Sequence, residues 1–89
     1  MDYKVIHCEE EGRFCVEVEG YVGYVEYVLG DGELNIIHTI VPSEIGGRGI
    51  AGVLVKAAYD YALGHGLKPV ATCSYAKKWL ERHPDYLID

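Results

Sequence analysis

The segment that decides the fold is 41-VPSEIGGRGIAG-52, which joins a strand-like stretch to a helix-like one. The preceding residues 33–41 read ELNIIHTIV, and their continuous apolar run is typical of a buried, central β-strand. From Ile50 onward, apolar residues recur at i, i+3, i+4, i+7, i+8 and i+11, which predicts an amphipathic helix from about residue 47 to residue 63. The segment is therefore a glycine-rich turn from a central strand into a long helix.

Such a turn is suited to binding an anion such as a pyrophosphate. Glycine tolerates positive φ and lets a ligand approach the backbone. The N–H groups of a first helical turn are unpaired and lie at the positive end of the helix dipole. The segment lacks the Gly-Lys-Ser/Thr of a Walker A loop, and no βαβ unit surrounds it as in a dinucleotide fingerprint. A glycine cluster alone is equally typical of a tight turn without a ligand.

The rest of the chain completes an α+β pattern. Alternating or β-rich runs predict three strands before the turn, at residues 3–8, 13–19 and 21–29, separated by glycine-containing turns. After the long helix, residues 69–73 fit a short buried strand, and Ser74 can cap a second helix that runs to Arg82. The order ββββαβα predicts one domain over residues 1–89, with an antiparallel meander leading into a mixed sheet.

Composition excludes several classes of function. The net charge is −6 without a Lys/Arg cluster, which argues against nucleic-acid binding. No apolar run approaches the roughly 18–20 residues of a membrane span. Three cysteines without paired spacing, and no secretory segment, predict reduced thiols and a cytoplasmic protein. We expect no metal site, a monomer or weak homodimer, and packing roles for Cys8 and Cys15.

Three ordered motifs resemble small single-domain members of the GNAT superfamily of N-acetyltransferases. They are HTIVP at residues 38–42, GRGIA at residues 47–51, and the segment from Cys73 that ends in RHPDY at residues 82–86. The superfamily's acetyl-CoA motif has Gln or Arg, two residues, Gly, one residue, then Gly or Ala. Gly49 and Ala51 occupy its last two positions, but Gly46 stands where Gln or Arg is expected. Backbone amides and Arg48 would then have to hold the phosphates.

The resemblance implies a site for acetyl-CoA and a pair of catalytic residues. The implied cofactor-binding residues are Val41, Gly46, Gly47, Arg48, Gly49, Ile50, Ala51 and Gly52. The implied catalytic residues are Cys73, placed where a helix N-terminus can lower a thiol pKa, and His38, as a base or as a partner of that thiol. From composition alone, each also fits a structural role, the cysteine as a small buried hydrophobe and the histidine as a hydrogen-bonded residue.

Other polar residues have simpler interpretations. His65 and His83 are expected at helix C-termini, interacting with the helix dipole. Lys77 is expected to pair with Glu81 on the helix surface, although Lys77 and Lys78 could also reach a CoA phosphate. The function predicted is transfer of acetyl from acetyl-CoA to a primary amine of a small molecule or protein. The alternative is a CoA- or acyl-CoA-binding module, or a partner subunit, without transferase activity.

Overall fold

A computed structural model describes residues 3–87 and contains a five-stranded sheet in the order β1-β2-β3-β4-β5. The first four strands are antiparallel neighbours, and β5 lies parallel to β4. The parallel pair requires a crossover, which the long helix supplies. The strands are β1 (Ile6–Cys8), β2 (Arg13–Val18), β3 (Tyr21–Gly30), β4 (Glu33–Ile40) and β5 (Lys68–Ala71).

Two α-helices follow the meander, α1 (Ile50–Gly64) between β4 and β5 and α2 (Ser74–Arg82) after β5. The predicted order ββββαβα and the mixed sheet are confirmed. The start of α1 differs from the sequence prediction, because Gly47 and Gly49 have φ of +75° and +78° and so cannot belong to a right-handed helix. The first strand is also shorter than predicted, beginning at Ile6, and β5 ends at Ala71, two residues early.

Both helices pack on the same face of the sheet and form one core with it. Every second residue of a strand points to this face, because successive side chains of a strand lie on opposite sides of the sheet. Across the core, the buried hydroxyl of Tyr59 on α1 donates a hydrogen bond of 2.6 Å to the carbonyl oxygen of Val70 on β5. The buried strand residues are Phe14, Val16, Val25, Tyr27, Leu34 and Ile36; those of the helices include Leu54, Val55, Ala58, Tyr59, Ala76, Trp79 and Leu80.

The opposite face of the sheet carries a mixture of polar and apolar side chains that no described helix covers. Val22, Val28 and Ile40 are about half exposed there. Within residues 3–87, no helix is both long enough and apolar enough to cross a membrane. The core is therefore one-sided, and the second face is left accessible beside the end of β4.

Candidate active site

The pairing of β4 with β5 stops halfway along β4. Its last register pair is Ile36 with Ala71. The backbone N–H groups of Thr72 and Cys73 both donate to the carbonyl oxygen of Ile36, at 3.0 and 3.1 Å. Beyond that point β4 continues to Ile40, whereas the segment that follows β5 turns into α2. In the described chain, residues 37–40 consequently have no strand partner on the side that faces β5.

A β-bulge in β4 marks the same place. Tyr27 pairs with Ile36, whereas Glu26 pairs with His38, so Ile37 is an extra residue in β4. A bulge changes which side chains point to which face of the sheet. After it, Thr39 shares the core face with its buried partner Val25, and His38 points to the open face beside Glu26. The bulge therefore decides that Thr39, and not His38, lies on the core face.

Cys73 occupies the N-cap position of α2. It lies where β4 and β5 separate after the pair Ile36–Ala71, a place that we call the fork. Its Sγ lies 3.4 Å from Oγ1 of Thr39, and the side chain is partly buried. The Cys73 backbone is extended and its side chain makes no bond to the helix backbone in the thiol form. Sequence reasoning placed Ser74 at this cap. The structure gives the position to the cysteine instead.

Several hydrogen bonds at the fork favour the thiolate of Cys73. Burial alone would raise its pKa, but this effect is outweighed. The Thr39 hydroxyl and the backbone N–H groups of Ala76, Tyr75 and Thr39 can all donate to the sulfur, and together they hold the pKa of the Cys73 thiol below its usual value. Cys73 therefore has the environment of a reactive cysteine, at a helix N-terminus and partly accessible.

His38 does not hydrogen bond with Cys73. The described structure places its imidazole exposed on the open face, whereas Cys73 packs against the core and contacts Thr39. The two predicted catalytic residues thus flank the fork from opposite faces of β4. Thr39 is the residue that sequence reasoning missed, although it lies inside the HTIVP motif directly after His38.

The glycine turn presents a row of free backbone donors. A short 3₁₀ turn, Ser43–Ile45, ends where the N–H of Gly46 donates to the carbonyl oxygen of Ser43 at 3.1 Å. The next N–H group with an acceptor is that of Val53, which donates to the carbonyl oxygen of Gly49 at 3.2 Å. Within the described residues, the N–H groups of residues 47–52 have no acceptor, and no side chain caps α1. We call these residues the amide cradle; such a row of amides at a helix N-terminus binds anions.

The side chains around the amide cradle point in two directions. Ile50 is buried, and Val41 packs against the same core, so these two residues fix the turn on the sheet. Arg48 points outward and forms an ion pair with Glu19, 2.9 Å between Nη1 and Oε2. The hydrogen bond and positive charge of Arg48 lower the pKa of the Glu19 carboxyl. The backbone N–H of Arg48 therefore belongs to the amide cradle, whereas its guanidinium is paired with the Glu19 carboxylate.

A cavity of about 390 Å³ lies between the two helices. Gly52, the last residue of the amide cradle, forms one wall. A Cβ at this position would lie 3.4 Å from the Tyr75 hydroxyl oxygen, so the glycine lets α2 approach α1 closely. The cavity is lined by Gly52, Tyr75, Lys78, Trp79, Arg82 and His83. Of the residues that line this cavity, sequence analysis singled out only Lys78 as able to reach a phosphate.

Two other histidines, His65 and His83, have structural partners. Nδ1 of His65 donates to the carbonyl oxygen of Tyr61 at 2.9 Å, and Nδ1 of His83 donates to that of Trp79 at 2.8 Å. Each ring also stacks on the aromatic ring of the same partner. Both histidines thus cap helix C-termini through the last carbonyl groups.

The two other cysteines form a pair on the open face. Their Sγ atoms are 3.5 Å apart, and both thiols are free. Burial, followed by the hydrogen bond and charge of Cys8, raises the pKa of Cys15 to about 11. Cys15 therefore keeps its proton at neutral pH, in contrast to the thiolate-favouring environment of Cys73.

Comparison with known proteins identifies the family. Residues 13–89 match the family model of the GCN5-related N-acetyl-transferases. The chain is 36% identical over 85 residues to Protein NATD1 of Xenopus tropicalis, and the aligned region covers 91% of this chain and 77% of that protein. It is also 36% identical over 90 residues to Protein NATD1 of Danio rerio, covering 94% and 81%.

A solved structure has the same architecture. The NMR solution structure of a GCN5-like protein from Staphylococcus aureus matches with a TM-score of 0.71 and 33% identity, over 93% of this chain and 82% of that one. Both the sequence family and the fold agree with the motifs that the chain carries. The prediction of an acyltransferase is confirmed: the chain belongs to the GCN5-related N-acetyltransferase family.

Proposed function

We propose that the protein transfers an acetyl group from acetyl-CoA to a primary amine of a small molecule or a protein. The observation that carries this proposal is the arrangement at the end of β4. The free amides of residues 47–52 lie just after the strand, and Cys73, with its lowered pKa, contacts Thr39 in the strand itself. An anion site and a reactive sulfur therefore share one end of one strand.

The amide cradle supplies the binding energy for the pyrophosphate of CoA. Its N–H groups and the positive end of α1 favour two adjacent negative charges. The unpaired edge of residues 37–40 offers backbone groups to an extended, amide-containing arm such as pantetheine, in the manner of an added strand. Arg48 contributes a charge when it is released from Glu19. These residues fit CoA despite glycine at position 46.

Cys73 is the proposed nucleophile. Its thiolate attacks the carbonyl carbon of the thioester, the carbon–sulfur bond to CoA breaks, and CoA leaves as a thiolate. The amine then attacks the acetyl group on Cys73, which restores the Cys73 thiolate and leaves the nitrogen with a proton to lose. N–H groups at the start of α2 can stabilise the developing oxyanion and the leaving Cys73 sulfur.

His38 is the proposed acceptor of the amine's proton. It lies exposed on the open face, so the acceptor amine would approach from that side while CoA occupies the fork. The neighbouring carboxylate of Glu26 and the net charge of −6 favour a cationic amine there. We place the reaction in the cytoplasm, where free thiols such as the three found here stay reduced.

Incubation with acetyl-CoA followed by intact-mass spectrometry tests the covalent step. We expect one thioester-linked acetyl group on the wild type and none on Cys73→Ala, with Cys15→Ala as the matched control that keeps the adduct. CoA release in the presence of an amine panel should fall by about 10²-fold in His38→Ala with CoA affinity unchanged. Binding of CoA without an adduct or turnover would instead favour a non-catalytic CoA-binding module.

A further inference from the structure

We infer that Cys8 and Cys15 form a redox-active dithiol, in which hydrogen peroxide oxidises the two thiols to an internal disulfide that fastens the edge strand β1 to β2. The pair lies on the open face, apart from the glycine turn and the fork, so the inference is independent of the proposed function. Sequence analysis expected only packing roles for these two cysteines.

The position of the two sulfur atoms is the first argument. In the antiparallel pair of β1 with β2, Ile6 lies opposite Cys15. Cys8 is two residues beyond Ile6, so Cys8 and Cys15 are diagonal neighbours on the same face of the sheet. Their Sγ atoms are 3.5 Å apart, and both thiols are free. A disulfide bond of about 2.0 Å therefore requires the sulfur atoms to approach by only about 1.5 Å.

The backbone around Cys8 can accommodate this approach. β1 has three residues and is an edge strand, paired in the described chain with β2 alone. Cys8 is its last residue, and the chain continues into the short 3₁₀ turn Glu9–Glu11. Short elements at the edge of a sheet open more readily than its central strands. A small displacement of Cys8 therefore disturbs few hydrogen bonds and leaves the central strands in place.

The third cysteine of the chain does not compete for either thiol. Cys73 follows β5, and β1 and β5 are the two outer strands of the five-stranded sheet. Cys73 also packs against the core, whereas Cys8 and Cys15 point to the open face. An oxidised Cys8 therefore has one cysteine of its own chain within reach, which is Cys15.

Access for a small oxidant is the second argument. A cavity of about 360 Å³ is lined by Cys8 together with His7, Glu9 and Glu10. The two carboxylates make this cavity negative, which favours an uncharged oxidant such as hydrogen peroxide over an anionic one such as glutathione disulfide. Cys15 does not line the cavity, and burial and the neighbouring Cys8 raise its pKa to about 11, so it keeps its proton. Cys8 is therefore the sulfur that reacts first.

The oxidation proceeds in two balanced steps. The Cys8 thiolate attacks one oxygen of the peroxide, the O–O bond breaks, and the leaving hydroxide takes up the proton that Cys8 had lost. The products are water and the sulfenic acid of Cys8. The Cys15 sulfur then attacks the Cys8 sulfur, the S–O bond breaks, and the departing hydroxide accepts the Cys15 proton to form a second water. Two thiols are oxidised to one disulfide, and one peroxide is reduced to two waters.

Treatment with hydrogen peroxide at neutral pH tests the inference in a Cys73→Ala background, which retains only these two thiols. Intact-mass spectrometry should show the loss of two hydrogen atoms, with neither thiol left to react with iodoacetamide and both restored by dithiothreitol. Trypsin cleaves after Arg13, between the two cysteines, so the disulfide should hold the two peptides together. In the matched variant Cys15→Ser, the Cys8 sulfenic acid should persist and be trapped by dimedone.

Amide hydrogen exchange measures the effect on the fold. Oxidation should slow the exchange of the β1 amides about tenfold and leave that of the β5 amides unchanged, because the disulfide closes the loop of residues 8–15. Added salt should speed oxidation by glutathione disulfide and not oxidation by peroxide. Disulfide-linked dimers, or a sulfenic acid that accumulates without an internal disulfide, would overturn the dithiol. Unchanged β1 exchange would overturn the fastening of the strand, and an equal response to salt would overturn the choice of oxidant.

Discussion

Replacing Thr39 with valine removes the hydroxyl that lies 3.4 Å from the Cys73 sulfur and leaves the shape of the side chain unchanged. The hydroxyl can donate to the thiolate, so it favours the charged form and lowers the pKa of Cys73. Its loss raises that pKa, and the pH profile of thiol reactivity moves to higher pH. At neutral pH the fraction of Cys73 present as thiolate falls.

The size of the effect follows from the geometry. Hydrogen bonds to charged groups contribute about 1.5–3 kcal/mol, and the long contact to a partly buried sulfur favours the low end. A loss of about 1.4 kcal/mol lowers the thiolate fraction about tenfold. The remaining thiolate is more nucleophilic, with a Brønsted coefficient of about 0.4–0.5, so the alkylation rate should fall about three- to fourfold.

Iodoacetamide alkylation of Cys73, followed by peptide mass spectrometry across a pH series, measures this effect. Thr72→Val is the matched control, since it removes a neighbouring hydroxyl that does not bond the sulfur. The Thr72 hydroxyl oxygen instead accepts a hydrogen bond of 2.9 Å from Nδ2 of Asn35. An unchanged rate in Thr39→Val, or an equal fall in Thr72→Val, would refute the role given to Thr39. The same variant should leave the free energy of unfolding nearly unchanged at neutral pH.

Three further predictions concern the turn and the thiols. Gly49→Ala should lower the free energy of unfolding by about 1 kcal/mol in urea titrations, because φ is +78° and an added Cβ would meet no other atom; a more stable variant would contradict the turn geometry. Glu19→Gln should tighten CoA binding at low salt by releasing Arg48, an effect that must vanish in an Arg48→Gln background. During alkylation at neutral pH, Cys73 should react well before Cys15, whose pKa is raised to about 11; the reverse order would contradict both environments.

The fold was predictable because periodicity and turn residues act locally. The run from Ile50 to Tyr61 has one apolar face, and the structure buries Ile50, Leu54 and Ala58 of it. The start of α1 was predicted three residues early, because helical periodicity does not reveal that Gly49 adopts positive φ. Likewise the end of β5 depends on hydrogen bonds of Thr72 and Cys73 to Ile36, which only the paired strands determine.

The site was predictable where a motif coincides with backbone geometry and not where it depends on side-chain direction. The glycine turn could be identified from its residues, and its free amides are a backbone property. By contrast, which of His38 and Thr39 faces the core depends on the extra residue Ile37, and no local pattern marks that bulge. The cavity at Gly52 depends on how α2 packs against α1, which is equally non-local.

The proposed function depends most directly on CoA binding by the amide cradle. A titration with CoA, followed in the two-dimensional amide NMR spectrum, tests it at the atoms concerned. The N–H groups of residues 47–52 have no acceptor among the described residues, so their resonances should show the largest shifts and saturate together. Resonances of residues 47–52 that stay in place at millimolar CoA would contradict the claim.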